Sequence, residues 1–521
     1  MVVMSGTAAI HPPSRPHLAF RVGVTGARKP AEAIEALRPR VEEVLRQVRT
    51  EIEHLAGHHD VRAAYAPTEL NGSIKPVLTV LSPLAEGADR LVAEVGLELG
   101  FTLHVPMPFP ETIYKNDFDD TPGSRAAFEA LLAKANGNVL AIDGARDDKT
   151  NRRWNKSRSY EAVGRYVVHN CDVLIAIWDG EPPRGRGGTT DTLRHALEIG
   201  VPVWWIDVTD PASRPIWLND ATEPRFDQSG RAACAELTDY MRRLIVPPEA
   251  PHPHPHGIIE SLVRLFDGKA QPPHLTYLEA VELPRRWWWG AHDFLLRVTA
   301  GAYKALPRQS PPTNPVAHHW YQFYQPTSRI STQFADRYRS TYVWVFGLIT
   351  LSLIFAACGV AFLTIDSVRH ITHWTAVPEF IALILIFLFI AGNIRNGWHQ
   401  RWIDTRLLAE LFRKQQTLAM IGWSLPGRSI SRLVEEQADP KDRDRAAWVP
   451  WLFAATLRAA PRPTGDLNLE TLSSALRMVR DDLVASQRAY HHRRNAQYRK
   501  AAGLLVWVGE AIFFIVAALV A

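Results

Sequence analysis

"IAIWDGEPPRGRGGTTDTLRHALEIGVPVWWI", Ile175 to Ile206, runs from an apolar stretch through a glycine-rich, proline-broken loop into a helix-patterned segment and a second apolar stretch. Short apolar runs on either side of a helical pattern mark a strand–helix–strand unit with parallel strands. The same alternation continues toward the N-terminus. Phe20 to Val24 precedes a helix pattern near Ala31 to Leu55, and Val77 to Leu81 precedes one near Ala85 to Leu99. Phe101 to Val105, Val139 to Ile142, Val173 to Trp178 and Val203 to Ile206 supply the remaining strand candidates. This order predicts an α/β Rossmann-like domain, a parallel sheet with helices on both faces. Ligands of such sheets sit beyond the carboxyl ends of the strands.

Four loops at those ends carry chemistry. In "TGARKP", Gly23, Thr25 and Gly26 precede Arg28 and Lys29, so backbone could approach a ligand beside positive charge. In "SPLAEGADR", Ser82 fits a helix N-cap and Pro83 the first helical position, with Glu86 and Gly87 following. The aromatics of "PMPFPETIY" could stack on a base. In the opening stretch, Asp179 ends the strand and Gly185, Gly187 and Gly188 could form an anion nest. Thr189 or Thr190 would cap the next helix, and Asp191 would accept from ribose hydroxyls. Four such loops on one sheet edge point to a nucleotide-derived ligand. No loop contains a convincing catalytic group, and no resident cofactor is implied.

Composition adds a second part. The chain has 521 residues, 46% of them hydrophobic, and a formal net charge of +5, a mild balance that does not argue for nucleic acid. Three cysteines, Cys171, Cys234 and Cys358, are far apart without metal-ligand spacing. Apolar runs near residues 342–363, 378–394 and 501–521 are each of a length to cross a bilayer. Arg337 and Arg339 precede the first, and Arg395, Arg401 and Arg406 follow the second, while the loop between them carries only Arg369. The positive-inside rule then places the N-terminal part in the cytoplasm. Glu510 stands mid-run in the third span, and Trp344, Glu379 and Glu510 are the candidate pore or membrane residues.

The segments between are less specific. "PPEAPHPHPHG" reads as an extended linker. "RRWWWGAHDFLLRVTAGAYKAL" forms an amphipathic helix, with Arg286, Asp293, Arg297 and Lys304 opposite Trp287, Ala291, Leu295 and Val298. It would lie on the membrane surface or dock the two halves together. Leu469, Leu472, Leu476, Val479 and Leu483 form a coiled-coil seam about two heptads long, expected to pack within one subunit, with self-association the alternative. The expected parts are a disordered tail at 1–18, the sheet domain at 19–209, a connecting region at 210–327 and a helical membrane domain at 328–521.

"GVTGARKP", "SPLAEGADRLVAE", "CDVLIAIWDG" and "GRGGTTDTLRHA" resemble the SLOG superfamily, Rossmann-like relatives of the DNA-processing protein DprA and the LOG nucleotide hydrolases. "RYRSTYVWVFG", "WIDTRLLAELFR" and "QRAYHH" resemble SLATT, a transmembrane effector domain associated with SLOG. The resemblance implies a bacterial anti-phage protein of the inner membrane, sensing a nucleotide-derived signal and perforating or disturbing the bilayer. It also implies self-association and a partner enzyme that makes the signal. Two departures stand out. Ala27 replaces a histidine, and the PGGxGTxxE pattern of the hydrolytic branch lacks its glutamate, since only Asp191 and Arg194 follow Gly187 and Gly188. These departures favour binding over N-glycosidic hydrolysis, in which Asp191 or Glu86 would have to replace that glutamate.

Overall fold

The computed structural model describes residues 12–28, 31–118, 122–143, 153–182, 187–219, 233–249, 271–280, 287–301, 311–363, 372–425, 430 and 447–520. Lys29, Gly185, Arg286, Lys304, Arg369 and the proline–histidine linker lie outside them.

Eight strands form one sheet: β1 (Ala19–Gly26), β2 (Val77–Leu81), β3 (Thr102–Met107), β4 (Val139–Ala141), β5 (Val173–Trp178), β6 (Val203–Asp207), β7 (Ile216–Leu218) and β8 (Gly465–Asp466). Their order is β7-β6-β5-β1-β2-β3-β4-β8, and only the β6–β7 pair is antiparallel. The central β5, VLIAIW, is buried at every residue, the pattern of a parallel strand covered on both faces. Helix α1 (Arg38–Ala56) buries Val41, Val44, Leu45, Val48 and Ile52, a three-and-four spacing that puts one apolar face on the sheet. Helices α2 (Ala88–Glu98), α3 (Arg153–Asn170), α4 (Thr189–Ile199) and α5 (Ala233–Ile245) complete the cover.

The helical half grows directly out of this core. After the short α6 (Ala291–Ala300), α7 (Pro315–Leu363) runs unbroken for 49 residues, about 74 Å at 1.5 Å per residue. Its first turns place Val316 and Trp320 in the same apolar core as the sheet. Its last turns join α8 (Thr372–Asn396) and the α11–α12 segment (Leu469–Met478 and Ser486–Val520) as three helices long and apolar enough to cross a membrane.

Between the second and third of these the chain returns to the sheet. Helix α9 (Trp398–Leu418) brings Phe412 within 6.0 Å of Trp320, centroid to centroid. Helix α10 (Trp448–Ala459) stacks Phe453 on Trp320 at 5.9 Å, and its Trp448 Nε1 donates to Asp404 Oδ2 of α9 at 3.1 Å. Then β8 pairs with β4 through Leu140 and Ala141. Strands β7 and β8 thus come from outside the stretch Ala19 to Asp207. Because α9, α10 and β8 pack against the sheet's core, α7 and α8 form a helical hairpin whose two ends return to that core.

Two expectations about the connecting helices change. The tryptophan turn before α6 (Trp287–Gly290) docks on α7, while it and α6 also present an apolar side. Trp344 Nε1 donates to Trp288 O at 2.9 Å and Ser340 Oγ to Trp289 O at 2.8 Å, while Trp287, Phe294 and Val298 are exposed. The seam packs only in part, since Val479 and Leu483 beyond α11 are half-buried while its three leucines on α11 are not covered. Leu469, Leu472 and Leu476 are exposed, because it is Ala475 that α11 turns inward.

Candidate functional site

The strand order reverses direction at β1 and β5. From β1 the chain proceeds to β2, β3 and β4 on one side, and from β5 to β6 on the other. A crevice opens at the carboxyl ends of such a pair, where ligands of doubly wound sheets bind. The loops singled out in the sequence converge here, though several of their residues do other work than expected.

The glycines bring elements together. A Cβ on Gly26 would lie 2.2 Å from Ala88 Cβ, so Gly26 lets the start of α2 press on the end of β1. Gly87, the N-cap of α2 at φ +86°, reciprocates, since a Cβ there would lie 2.6 Å from Ala27 O. Gly23 similarly admits Val167 of α3, 2.8 Å from where its Cβ would be. Gly187 at φ +76° sits against the backbone of Glu161, and its N–H donates to Asp191 Oδ2 at 3.2 Å. Asp191 therefore closes its own loop. Thr25 and Asp179 are half-buried at the ends of β1 and β5, and Asp179 Oδ1 accepts from Glu181 N at 3.2 Å.

The capping expectations are corrected. Helix α2 begins at Ala88, not after Ser82, because the Ser82 hydroxyl is fully buried. It accepts from Leu84 N at 3.1 Å and donates to Asp89 O at 2.7 Å. Helix α4 begins at Thr189 with Gly188 as its N-cap, and no side chain caps it. Thr190 Oγ1 donates instead to Glu181 O at 3.1 Å. Two helix starts, at Gly87 and Gly188, thus lack a side-chain cap on this edge, an arrangement that suits an anion.

The aromatic loop is core, not a stacking platform. Phe109 and Tyr114 are 1% and 0% exposed and pack edge-to-face at 6.3 Å. In their place the structure supplies a polar cluster that joins Arg28 and Glu86, singled out in the sequence, to Asp89, Arg90, Asp117, Ser124 and Tyr160, which were not. Arg28 lies over the Tyr160 ring at 5.5 Å, and the Tyr160 hydroxyl donates to the Asp117 carboxylate. Arg90 donates to Leu84 O at 3.1 Å and to Ser124 Oγ at 2.9 Å, while Ser124 Oγ donates to Glu86. Asp89 is 7% exposed, and burial pushes its carboxyl up to about 7 against the pull of Arg28 and Arg90. Asp89 stands inside the quoted "SPLAEGADR", but an acid in a helix's first turn ordinarily faces water. Only burial makes it unusual.

In the membrane half, Trp344 is tied to Trp288 and stacks on Phe389 at 6.1 Å, a joint between the first two spans. Glu379 is half-buried beside Ala376, Val377 and Phe380. Glu510 is exposed amid Val506, Trp507, Phe513 and Phe514, so an apolar surface surrounds a carboxylate.

Comparison with protein-family models, with curated proteins and with solved structures gives no match, so the reading of this site rests on its geometry.

Proposed function

We propose that the chain is a ligand-gated membrane effector. The carboxyl edge of the sheet binds an anionic, nucleotide-derived ligand at the helix starts of Gly87 and Gly188, beside Arg28. The membrane helices respond by opening a pore in, or disrupting, the bilayer. The observation that carries this reading is α7, which buries Trp320 in the sheet's core at one end and exposes Phe346 and Leu353 in its membrane-length run at the other. A change in how the sheet packs can reach the spans through that helix and through α9, which returns from the second span to the same core. The arginines flanking the first two spans favour a cytoplasmic sheet domain. In this reading the protein is a SLOG-type sensor joined to a SLATT-type effector of a bacterial anti-phage system. A separate enzyme makes the signal, and copies of the chain assemble in the inner membrane so that Glu510 meets water or a neighbour rather than lipid.

Shifting a two-state equilibrium from about 1:99 to 99:1 takes about 5.5 kcal/mol of differential binding, which a ligand held by several loops can supply. Protein reconstituted in dye-loaded liposomes should be silent alone and leak when ADP-ribose or a cyclic nucleotide is added on the domain side. Gly188→Trp should stay silent at every dose, and Glu510→Gln should alter the ion preference of leakage without weakening binding. Equal leakage with and without nucleotide would sink the gating idea.

One observation favours a second reading, a membrane-anchored N-glycosidic hydrolase. Asp89 is a buried acid with its carboxyl near 7, the range a general acid needs. Incubation with NAD or nucleotides and a search for released base separates the two readings.

A further inference from the structure

The amino edge of the sheet, remote from the loops above, is built quite differently. A cavity of about 1630 Å³ opens there between the sheet, the end of α5 and α10, with Arg21, Asp172 and Arg458 among its walls. Arg21 also lines an adjoining crevice that holds Arg462 and Trp320. Three guanidinium groups therefore approach one another, and Asp172 is the carboxylate they share.

Their hydrogen bonds leave much unsatisfied. Arg21 is 4% exposed and donates from Nη2 to Leu457 O at 2.5 Å and Ala460 O at 3.1 Å. Asp172 Oδ2 is engaged by the Arg21 backbone N–H at 2.9 Å. Arg458, 5% exposed, donates from Nη2 to Leu244 O at 3.0 Å, yet its buried Nε has no partner. Arg462 has two buried, unpartnered donors, Nε and Nη2. Burial depresses Arg21 and Arg462, Arg462 adds to the depression of Arg21, and both lower His104 nearby. At the mouth, Asp239 pairs with Arg243 at 3.7 Å and Asp60 lies 3.6 Å from His58, and Glu236 and Glu249 also line the rim, outside the hydrogen bonds of the three arginines. Among the described residues, the buried Arg21 and Arg458 and the half-buried Arg462 lie around Asp172 with guanidinium donors left over, and buried donors without acceptors destabilise a fold.

We propose that this arginine cluster is a second ligand site, taking a soluble phosphate-bearing anion distinct from the ligand of the carboxyl edge. Guanidinium forks match phosphate oxygens in planar, paired geometry, which suits a pyrophosphate or polyphosphate group. A lipid headgroup does not fit the placement. Trp320 beside Arg462 precedes Tyr342, where the first apolar run begins, by about 33 Å of helix at 1.5 Å per residue. The location also gives the site a task. Arg21 belongs to β1, whereas Arg458 and Arg462 follow the second span, so an anion held among them locks the returning segment onto the sheet. Such a ligand acts on the same joint that the spans use, and binding and closure favour each other.

The test uses the full chain in a neutral detergent with inorganic pyrophosphate as the probe, read by calorimetry and thermal unfolding. Wild type should bind and gain thermal stability. Arg462→Gln should unfold no earlier than wild type without pyrophosphate, and should bind at least tenfold more weakly. Arg458→Lys keeps a charge but loses the fork, and it too should bind several-fold more weakly. Gly188→Trp should keep the pyrophosphate response, so failure at this site and failure at the carboxyl edge are told apart. Absence of wild-type binding at millimolar pyrophosphate, or unchanged affinity in both arginine variants, overturns the proposal. Nanodiscs of phosphatidylcholine with and without phosphatidylglycerol separate the sources. An Arg462-dependent stabilisation by the anionic lipid, in place of pyrophosphate, would overturn the assignment to a soluble anion.

Discussion

At the carboxyl edge of the sheet, Gly26 and Gly87 bring backbone against backbone, whereas at the amino edge Arg21 and Arg458 border open space. The carboxyl edge carries the motif-like loops, yet most of their groups are engaged with one another. Ser82, Asp191 and Thr190 each satisfy a neighbouring backbone group. The amino edge has no glycine-rich signature at all, yet it holds buried donors without acceptors. Glycine-rich loops report close approach of chain to chain as readily as close approach of chain to ligand. Space and unmet hydrogen bonds discriminate between the two.

The sharpest way to break this comparison is Gly26→Val. If Gly26 serves packing, the branched side chain collides with Ala88 and Ile177. The cost should be about 3 kcal/mol or more in chemical unfolding. A variant that folds normally but loses nucleotide binding would return Gly26 to the ligand.

Asp89→Asn tests whether the carboxyl-edge cluster stores strain. The folded carboxyl lies near 7 and the unfolded one near 3.8, so the folded state holds more protons between those values. Wild-type stability should fall as pH rises from about 4 to 7, and Asn should escape that fall. Above pH 7 the variant should be more stable by as much as about 4 kcal/mol, and below pH 4 the two should converge. Parallel pH profiles would place Asp89 in contact with water.

His274 tests the joint at α10 with the opposite sign. It is 3% exposed, packs 5.6 Å from Trp451, and burial lowers it from 6.5 to about 4. Its contribution is intact above pH 6.5 and is lost as pH falls toward 4, because the unfolded chain takes up the proton first. His274→Gln should remove about 1 kcal/mol of that acid sensitivity, measured as the shift in unfolding midpoint between pH 7 and 5.

The smallest expected effect on stability is the most informative about ligand. Gly188 caps α4 at φ −82° and ψ 175°, backbone that any residue adopts. Gly188→Trp should change stability by no more than about 0.5 kcal/mol, while calorimetry with nucleotide loses its signal. Loss of the fold would make Gly188 another packing glycine.

The strand–helix alternation from Phe20 to Ile206 was legible because parallel strands covered on both faces are continuous apolar runs, and β5 is the clearest case. The three helices long and apolar enough to cross a membrane were legible because such a helix must be apolar over the length it would bury in lipid, as in α8. Other features had no local signal. Strand β8 is two residues long and forms because β4 offers an unpaired edge where the returning chain passes. Phe109 and Tyr114 read equally well as a stacking surface or as core, since an aromatic residue's sequence neighbours do not report its burial. The same holds for the exposed Leu469, Leu472 and Leu476.

Local periodicity and composition therefore determined which segments are strands, which helices are long and apolar enough to cross a membrane, and which sheet edge gathers helix starts. Tertiary structure alone decided that α7 ties the core to the first span, that the glycines of the carboxyl edge pack elements, and that Arg21, Arg458 and Arg462 meet around one carboxylate. These last three residues are separated by up to 441 positions in the chain. Burial and charge balance are sums over neighbours in space, and a chain's order does not contain them until it has folded.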